Sequence, residues 1–462
     1  MSATIFTTKR SEIEGRLDPF FYKPEFMQLE RSMKKAHAIP LRKFILSIAS
    51  GATPKTSEYE KYYSDKDHGF PFLRVQNLSP TSILNYDDCK YINKETHNGM
   101  LRRSQVSEGD LLVKITGVGR MAIASVAPKG FIGNTNQHMC VLKTKDEETS
   151  WILASWLNTD IAEKLASRRA TGGTRPALDY PALLSIPVVY DKRISNIMDV
   201  AVSNMKTKQK QARKLLSSID TYLLNELGIS LPKKDSSLSK RIFTVKFSEV
   251  CGSRLDCSYS FKTSVLNDEL SKIRTEPLQN LIIKNPQYGA NEEAVDYADG
   301  DVRYIRITDI DELGNLKELD KKSSANIEEK YLLHKNDILF ARSGSVGRCY
   351  IHKNTDTPAI FAGYLIRFIL NEDLVNPDYL FYYCNSSIYK CWVDSIQRPA
   401  VQSNINSEEY KSLKIPLPTL EKQNEIASHI KQIRKQAKSM QAEAEQILQD
   451  AKVQIEKMIL GE

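Results

Sequence analysis

A long-period internal repeat constrains this 462-residue chain more than any other feature of its sequence. Internal repetition is sought first because it changes the expected number of domains. Four segments recur in the same order: SEIEGRLD (11–18) as SEVCGSRLD (248–256), FPFLRVQNLSP (70–80) as VRYIRITDID (302–311), EGDLLVKITGVGR (108–120) as KNDILFARSGSVGR (335–348), and TRPALDYPALLSIPV (174–188) as QRPAVQSNINSEEYKSLKIPL (397–417). The sequence therefore predicts two homologous halves, about 1–235 and 236–462.

Both halves have the same layout. Short β-rich runs broken by Gly, Pro and Asn come first, and a long proline-free stretch follows an Ile-Pro boundary. Such runs are typical of strands joined by turns, and the intervening periodic stretches are typical of helices. The predicted fold class is α+β, with two homologous mixed α/β domains and two long helices. The expected boundaries are 1–188 and 240–418 for the domains, and 189–232 and 419–462 for the helical segments.

The second proline-free stretch has the clearest helical period. Its apolar residues alternate steps of four and three along a heptad seam: Ile426, Ile430, Ile433, Ala437, Met440, Ala444, Ile447 and Ala451. The first stretch is weaker, because Asn204 and Lys208 interrupt its apolar pattern. At about 1.5 Å per residue, helices of roughly 36–40 residues exceed the depth of a small domain. We therefore expect them to pack on each other or on a partner.

Composition excludes several classes of protein. Charged residues make up 26% and hydrophobic residues 41% of the chain, which argues against both disorder and membrane embedding. Seven cysteines without a CxxC pair or a Cys/His cluster argue against a disulfide framework and a metal site. The net charge of +8 permits an anionic partner such as nucleic acid. We expect a cytoplasmic protein without membrane association.

A duplicated chain suits a target with two spaced half-sites, and DNA is such a target. Arg and Lys pair with guanine, Asn and Gln pair with adenine, and all four also contact phosphates. Side chains of these types lie on the turn-rich segments, although each alone could be ordinary solvated surface. The candidate DNA-binding residues are Arg74, Gln76, Lys114, Arg120, Asn136 and Arg175 in the first half, and Arg306, Arg342, Arg348, Arg398 and Gln402 in the second. No catalytic residue is predicted.

The doubled order of motifs resembles the specificity subunits of type I restriction-modification systems. The resemblance rests on GATPK (51–55), the FLRVQNL strand, the Gly-Asp-Leu-Leu…Gly-x-Gly turn, GGTRPALDYPALLSIPV (172–188) and the heptad helix. It covers the chain essentially end to end. The second half departs from the pattern, because KNPQYGAN (284–291) stands where Gly-x-Thr-Pro is expected.

The resemblance implies a non-catalytic subunit with two target-recognition domains. Its two helices would pair antiparallel as a coiled coil, in a pseudo-two-fold arrangement, and separate the recognition domains. Each domain would recognise one half of an asymmetric bipartite site on double-stranded DNA. The implied protein partners are two modification (methyltransferase) subunits and the restriction (translocase/nuclease) subunits. The chain itself would hold no cofactor, whereas S-adenosylmethionine, ATP and Mg would belong to those partners.

Three alternatives stay open. A stand-alone adenine methyltransferase would use Asn285-Pro286-Gln287-Tyr288, because such enzymes hold the flipped base with an Asn-Pro-Pro-Tyr/Phe segment. Gln287 replaces the second proline, however, and no Gly-rich cofactor turn precedes the segment. A specificity subunit of a related methylation-based defence system is the second alternative. The third is a coiled-coil scaffold, which would show no salt-sensitive DNA binding.

Overall fold

The computed structural model of this chain describes residues 5–231, 244, 256–397 and 403–461. The polar stretch PKKDSSLSK (232–240), which the sequence indicates as a flexible linker between the halves, lies outside the described residues. So do the repeated segment at 248–255 and the candidate residues Arg398 and Gln402. Two compact units divide the chain: Met1–Lys210 with Met440–Glu462, and Gln211–Ser439. Each long helix contributes residues to both units. The predicted boundaries at 1–188 and 240–418 therefore stay predictions.

Twelve α-helices occur among the described residues. They are α1 (Pro24–Lys35), α2 (Tyr59–Tyr62), α3 (Lys94–Asn98), α4 (Glu147–Leu157), α5 (Asp160–Arg169), α6 (Tyr180–Leu184), α7 (Lys192–Leu227), α8 (Cys257–Leu270), α9 (Pro377–Tyr383), α10 (Ser387–Ile396), α11 (Ser407–Lys411) and α12 (Leu420–Leu460). The two long helices are α7 and α12, and both fall within the helical segments expected from the sequence. None of the described helices is long and apolar enough to cross a membrane.

The strands are short, as the frequent turn residues require. In the first unit they are β1 (Ile39–Pro40), β2 (Ser47–Ser50), β3 (Tyr63–Ser64), β4 (Phe70–Leu73), β5 (Ser82–Ile83), β6 (Lys90–Ile92), β7 (Gln105–Ser107), β8 (Leu111–Lys114), β9 (Ala124–Val126), β10 (Ile132–Thr135), β11 (Met139–Lys143) and β12 (Pro187–Val188). In the second they are β13 (Thr275–Pro277), β14 (Gln287–Tyr288), β15 (Ala294–Asp296), β16 (Arg303–Ile305), β17 (Lys322–Ser324), β18 (Ile338–Ala341), β19 (Cys349–Ile351), β20 (Ala359–Phe361), β21 (Leu365–Phe368) and β22 (Lys414–Pro416).

The two units repeat one strand topology, which confirms the predicted fold class. The order β2-β11-β8-β9 in the first unit matches the order β14-β21-β18-β19 in the second, and all these pairs are antiparallel. The parallel pair β4·β10 matches the parallel pair β16·β20. The terminal pair β1·β12 likewise matches β13·β22. The internal repeat of the sequence is therefore a repeat of strand pairing.

Local details repeat as well. Arg74 and Arg306 each end a strand, and the backbone N–H of each donates to the side chain three residues on, Asn77 or Asp309. Both arginines thus precede the same short 3₁₀ turn.

One side-chain contact recurs with its partners exchanged. In the first unit, Tyr180 of α6 donates a hydrogen bond to Ser50 of β2 at 2.8 Å. In the second, Tyr288 of β14 bonds Ser407 of α11 at 3.2 Å. Tyrosine and serine have changed places between equivalent strands and helices, so the contact is kept while the sequence differs.

The long helices run antiparallel. In the second unit, Tyr222 packs on His429 with ring centroids 4.3 Å apart, and Glu226 pairs with Lys422 at 2.7 Å. Going from the first of these contacts to the second, the residue numbers increase in α7 and decrease in α12, so the two helices run in opposite directions. In the first unit, Lys208 of α7 pairs with Glu443 of α12 at 2.6 Å.

The heptad seam of α12 lies where the sequence placed it, since Ile426, Ile430, Ala437 and Ala444 are buried. For α7, the prediction that Asn204 interrupts the heptad seam is wrong. Asn204 is exposed, and the seam passes through its neighbour Met205 and continues with Ala212. Buried Met205 and Ala212 carry this seam, and the sequence pattern missed it because it was followed through Asn204 instead of Met205. Lys208 does lie on the seam, half-buried.

The sequence has an aromatic run at 379–383, whose pattern favours a packed helix face over a base-stacking surface, and the structure confirms this interpretation. Tyr379, Phe381, Tyr382 and Tyr383 of α9 are all buried. They join a core that includes Phe340 of β18. A base-stacking role for this run is therefore excluded by its burial.

Candidate nucleic-acid interface

The ends of four strands meet on one side of the first unit. The backbone N–H of Gly51, after β2, donates to Asn136 O at 3.2 Å, and that of Asn136 donates to Leu73 O at 3.1 Å. Thr116 N–H, after β8, donates to His138 O, and Gly117 N–H donates to Pro176 O. Segments 51–55, 74–77, 114–118, 136–138 and 171–177 are thus tied together by backbone bonds. We call them the first loop cluster.

Gly51 is the point of closest approach in this cluster. A Cβ at this position would lie 1.6 Å from Thr135 O and 2.9 Å from the Ser104 hydroxyl. Real Cβ atoms do not approach within 3.0 Å, so only glycine fits. The glycine of the Gly-x-Thr-Pro motif therefore lets the loop lie against the end of β10. Two residues on, Thr53 bonds the side chain of Gln137.

The first loop cluster brings together five of the six residues predicted in the first half. Arg74, Gln76, Lys114, Asn136 and Arg175 all lie in its segments. Gln76 and Arg175 are exposed, Arg74 is half-buried, and Lys114 and Asn136 are buried.

Lys114 and Asn136 are tied to backbone atoms of the cluster. Lys114 Nζ donates to Val118 O at 2.7 Å, and burial lowers the pKa of this amine. Asn136 Oδ1 accepts the His138 N–H at 3.1 Å. These two side chains therefore hold the Gly-x-Gly turn and the β10–β11 connection in shape.

Arg120 points away from the contacts of this cluster. Its guanidinium bonds the Asp160 carboxylate at 2.6 Å, Asn158 O at 2.7 Å and Thr159 O. It thereby holds the junction between α4 and α5. A direct role for Arg120 in DNA contact stays a prediction, although both of its terminal nitrogens already donate to protein oxygens.

The second unit builds a second loop cluster on the same framework. Ala290 N–H donates to Phe361 O at 2.8 Å, and Ala362 N–H donates to Ile305 O at 3.0 Å. Gly289 takes the place of Gly51, since a Cβ there would lie 2.3 Å from Phe361 O. The second loop cluster comprises segments 288–292, 306–309, 342–347, 362–364 and 403–406. A cavity of about 540 Å³ opens on it, lined in part by Arg306, Thr308 and Tyr364.

Two predicted arginines of the second unit are engaged within the protein. Arg306 forms an ion pair with Asp309 at 2.8 Å and with Asp320 at 3.5 Å, and the bond from Asp309 raises the pKa of its guanidinium. Arg348 donates to Ile310 O at 2.6 Å. Both are therefore placed to shape loops, and their contact with DNA stays a prediction.

Arg342 differs from them. Its guanidinium carbon lies 5.1 Å from the centre of the Tyr288 ring. Within the described part of the chain, no hydrogen bond or ion pair to this guanidinium is found. Tyr288 is 37% exposed and the neighbouring Tyr364 is 63% exposed. The sequence named Tyr288 only as part of the possible methyltransferase segment and did not select Tyr364, because their position beside Arg342 depends on the pairing of β14, β18 and β21.

The segment Asn285-Pro286-Gln287-Tyr288 forms part of the sheet. Gln287 and Tyr288 pair with Arg367 and Ile366 of β21, and the Gln287 side chain bonds Arg367. The segment occupies the place of β2, directly before GATPK, and not that of GATPK itself as the repeat predicted, because Gly289 takes the place of Gly51. This pairing argues against use of the segment as a methyltransferase loop.

Each long helix sends one carboxylate to the start of an equivalent short helix. Glu456 of α12 accepts the N–H groups of Asp160 and Ile161 at 2.7 and 2.9 Å, at the start of α5. Asp220 of α7 accepts from Ser387 N–H and hydroxyl at 2.7 and 2.6 Å, at the start of α10. Free N–H groups and the helix dipole favour an anion at these positions.

Residues 281–449 match the family described as the type I restriction modification DNA specificity domain. The chain is 21% identical over 420 residues to the type I restriction enzyme EcoBI specificity subunit of Escherichia coli, covering 87% of this chain and 80% of that relative. It is 24% identical to the MjaVIII specificity subunit of Methanocaldococcus jannaschii, covering 58% of this chain and 63% of that relative.

Two solved structures resemble the fold. One is the type I restriction-modification S subunit from M. genitalium, with a TM-score of 0.37 and 12% identity over 92% of this chain and 94% of that one. The other is the HsdS subunit from Thermoanaerobacter tengcongensis, with a TM-score of 0.34 and 13% identity over 92% of this chain and 96% of that one. The sequence relatives and the matched domain confirm the resemblance predicted from the repeated motifs.

Proposed function

We propose that this chain, which is related over most of its length to type I restriction enzyme specificity subunits, is the DNA-recognition subunit of a type I restriction-modification system. It would bind an asymmetric bipartite site, with one loop cluster for each half of the site. Its action would be binding rather than catalysis. The second half carries the matched DNA specificity domain, and the first half repeats its strand pairing.

One observation supports this proposal above the others. The two loop clusters share a backbone framework but carry different side chains: Ile115 and His138 in the first unit stand where Arg342 and Tyr364 stand in the second. Base recognition requires different side chains at each half-site, whereas a shared fold requires the same framework. A coiled-coil scaffold would require no such difference.

The partners are part of the proposal. Two modification subunits that methylate adenine with S-adenosylmethionine, and restriction subunits that use ATP and Mg, would assemble on this chain. The chain itself would bind none of these cofactors. Titration of the purified chain with S-adenosylmethionine tests this point, since binding would favour the stand-alone methyltransferase instead.

A base-resolution map of methylated adenine, in host cells with and without this chain, tests the function. Loss of methylation at one asymmetric bipartite motif is the expected result. Cells that carry the Arg342→Ala chain serve as a comparison, since the chain is present and only one side chain of the second loop cluster is changed. Unchanged methylation after removal of the chain, in cells that methylate adenine, would contradict the proposal.

A further inference from the structure

The strand-end arginines fall into two groups by what their donors contact. Arg306 and Arg348 are bound by carboxylates or carbonyls of the protein. Arg306 also has an arginine, Arg74, at the matching place of the first unit, whereas the place of Arg348 is taken there by Ile123. Arg342 has neither property. Its place in the first unit is taken by Ile115, because Ile115 N–H donates to His138 O as Arg342 N–H donates to Tyr364 O.

Residues that match between the units build the shared framework. Where the two units carry different side chains at equivalent backbone positions, those side chains can distinguish the two half-sites. Arg342 is such a residue, and it lies in the second loop cluster beside two exposed tyrosines.

Hydrogen bonds hold the backbone of Arg342 in place, and so fix the position of its Cα and Cβ. Its backbone N–H donates to Tyr364 O, and its carbonyl accepts from Ile405 N–H, both at 2.9 Å. The side chain lies over the Tyr288 ring at 5.1 Å. Tyr288 is fixed in turn, by pairing with Ile366 and by bonds between its hydroxyl and both the N–H and hydroxyl of Ser407 at 3.2 Å.

A guanidinium that stacks on an aromatic ring uses its face and leaves its N–H groups in the plane of the fork. Two parallel N–H donors match O6 and N7 of guanine in the major groove. Cytosine and thymine offer no such pair of acceptors, and adenine offers an acceptor beside a donor. The Tyr288 ring beside the guanidinium restricts where the fork can move and so favours one base over a mobile phosphate contact.

We propose that Arg342, held over Tyr288, recognises a guanine in the half-site bound by the second unit. This inference rests on the proposed function. It adds that the second loop cluster recognises a guanine. Arg342 determines specificity in this scheme, and Tyr288 is a positioning residue that acts through it.

The experiment uses the full chain, purified from its host with the subunits that bind it, and a library of randomised double-stranded DNA. Bound DNA is sequenced for the wild type and for Arg342→Ala, Arg342→Gln and Tyr288→Leu. Lys330→Ala is the matched control, because Lys330 also lies over a tyrosine of this unit, Tyr331, at 4.8 Å. Thermal melting of each variant verifies that the fold is kept.

We expect the wild type to require guanine at a position that Arg342→Ala no longer discriminates, with a loss of affinity for the best site of about 10- to 100-fold. Arg342→Gln should move the preference at that position towards adenine. Tyr288→Leu should weaken the guanine preference partly, and Lys330→Ala should leave it unchanged.

Equal weakening on all DNA, with a lower salt dependence, would mean that Arg342 contacts a phosphate and would overturn the inference. An unchanged motif in Arg342→Ala would overturn it as well, while the proposed function would stand. If the wild type enriches no sequence at all, both the proposed function and this inference fail.

Discussion

Gly51→Ala provides the sharpest test of how the first loop cluster is built. The added Cβ would lie 1.6 Å from Thr135 O and 2.6 Å from Thr135 C. Both are backbone atoms of a buried strand end, so the loop and β10 must separate by roughly 1.5 Å to restore van der Waals contact. That shift breaks the 3.2 Å bond from Gly51 N–H to Asn136 O.

The expected cost follows from these two effects. Overpacking a tight site costs about 1–3 kcal/mol, and leaving a buried backbone group unpaired costs about 1–3 kcal/mol more. We therefore expect Gly51→Ala to lower the free energy of unfolding of the first unit by about 2–6 kcal/mol.

Two glycines of the same unit supply matched controls. Gly130 has a φ of +73° but open space around it, so Gly130→Ala should cost about 1–2 kcal/mol from backbone strain alone. Gly173, in the first loop cluster, has neither constraint, and Gly173→Ala should be neutral or slightly stabilising.

The measurement is hydrogen–deuterium exchange in increasing urea, followed in peptides that cover β10 and β11. This readout reports the first unit separately, which a single global transition of a two-unit chain would not. The expected order of destabilisation is Gly51→Ala above Gly130→Ala above Gly173→Ala. A Gly51→Ala chain no weaker than Gly130→Ala would refute the close approach of the loop to Thr135.

Other expected outcomes concern the carboxylate contacts and one buried histidine. Glu456→Ala should cost about 1–3 kcal/mol of local protection at the first amides of α5, Asp220→Ala should do the same only at α10, and Glu445→Ala, on an exposed position of α12, should do neither. Burial lowers the pKa of His352 to about 4. As the pH falls from about 6.5 to 4, the imidazole of His352 is protonated in the unfolded chain before it is protonated in the folded one. The free energy of unfolding should therefore decrease across this pH range. Urea titration should show a smaller decrease in His352→Gln.

Sequence patterns predicted the fold in outline because they depend on local chemistry. The repeated Gly, Asp and Arg positions gave the two units, and the Ile-Pro boundaries gave the starts of the long helical segments. Positions such as Gly51 also follow from local pattern, since a glycine that ends a strand often permits a close backbone approach.

The function of individual arginines could not be predicted in the same way. Arg120 and Arg348 align in the sequence as two Gly-Arg pairs, yet the strand register places Ile123, not Arg120, opposite Arg348. Their partners, Asp160 and Ile310, are about 40 residues away in sequence. Whether a guanidinium is free for DNA depends on such distant contacts. The pairing that places Tyr288 beside Arg342 is equally remote. The sequence therefore indicated the arginine, but it named Tyr288 only within the methyltransferase alternative and did not associate the two.

The exchanged tyrosine–serine contact limits how hybrids of the two copies can be made. Joining β2 of the first copy to the helix of the second would set Ser50 opposite Ser407, with no ring to fill the gap. The reverse graft would set Tyr288 against Tyr180, two rings in the space of one. A crossover between strand and helix is thus penalised in either direction, so we expect hybrids that keep each strand with its own helix to be more stable than hybrids that separate them.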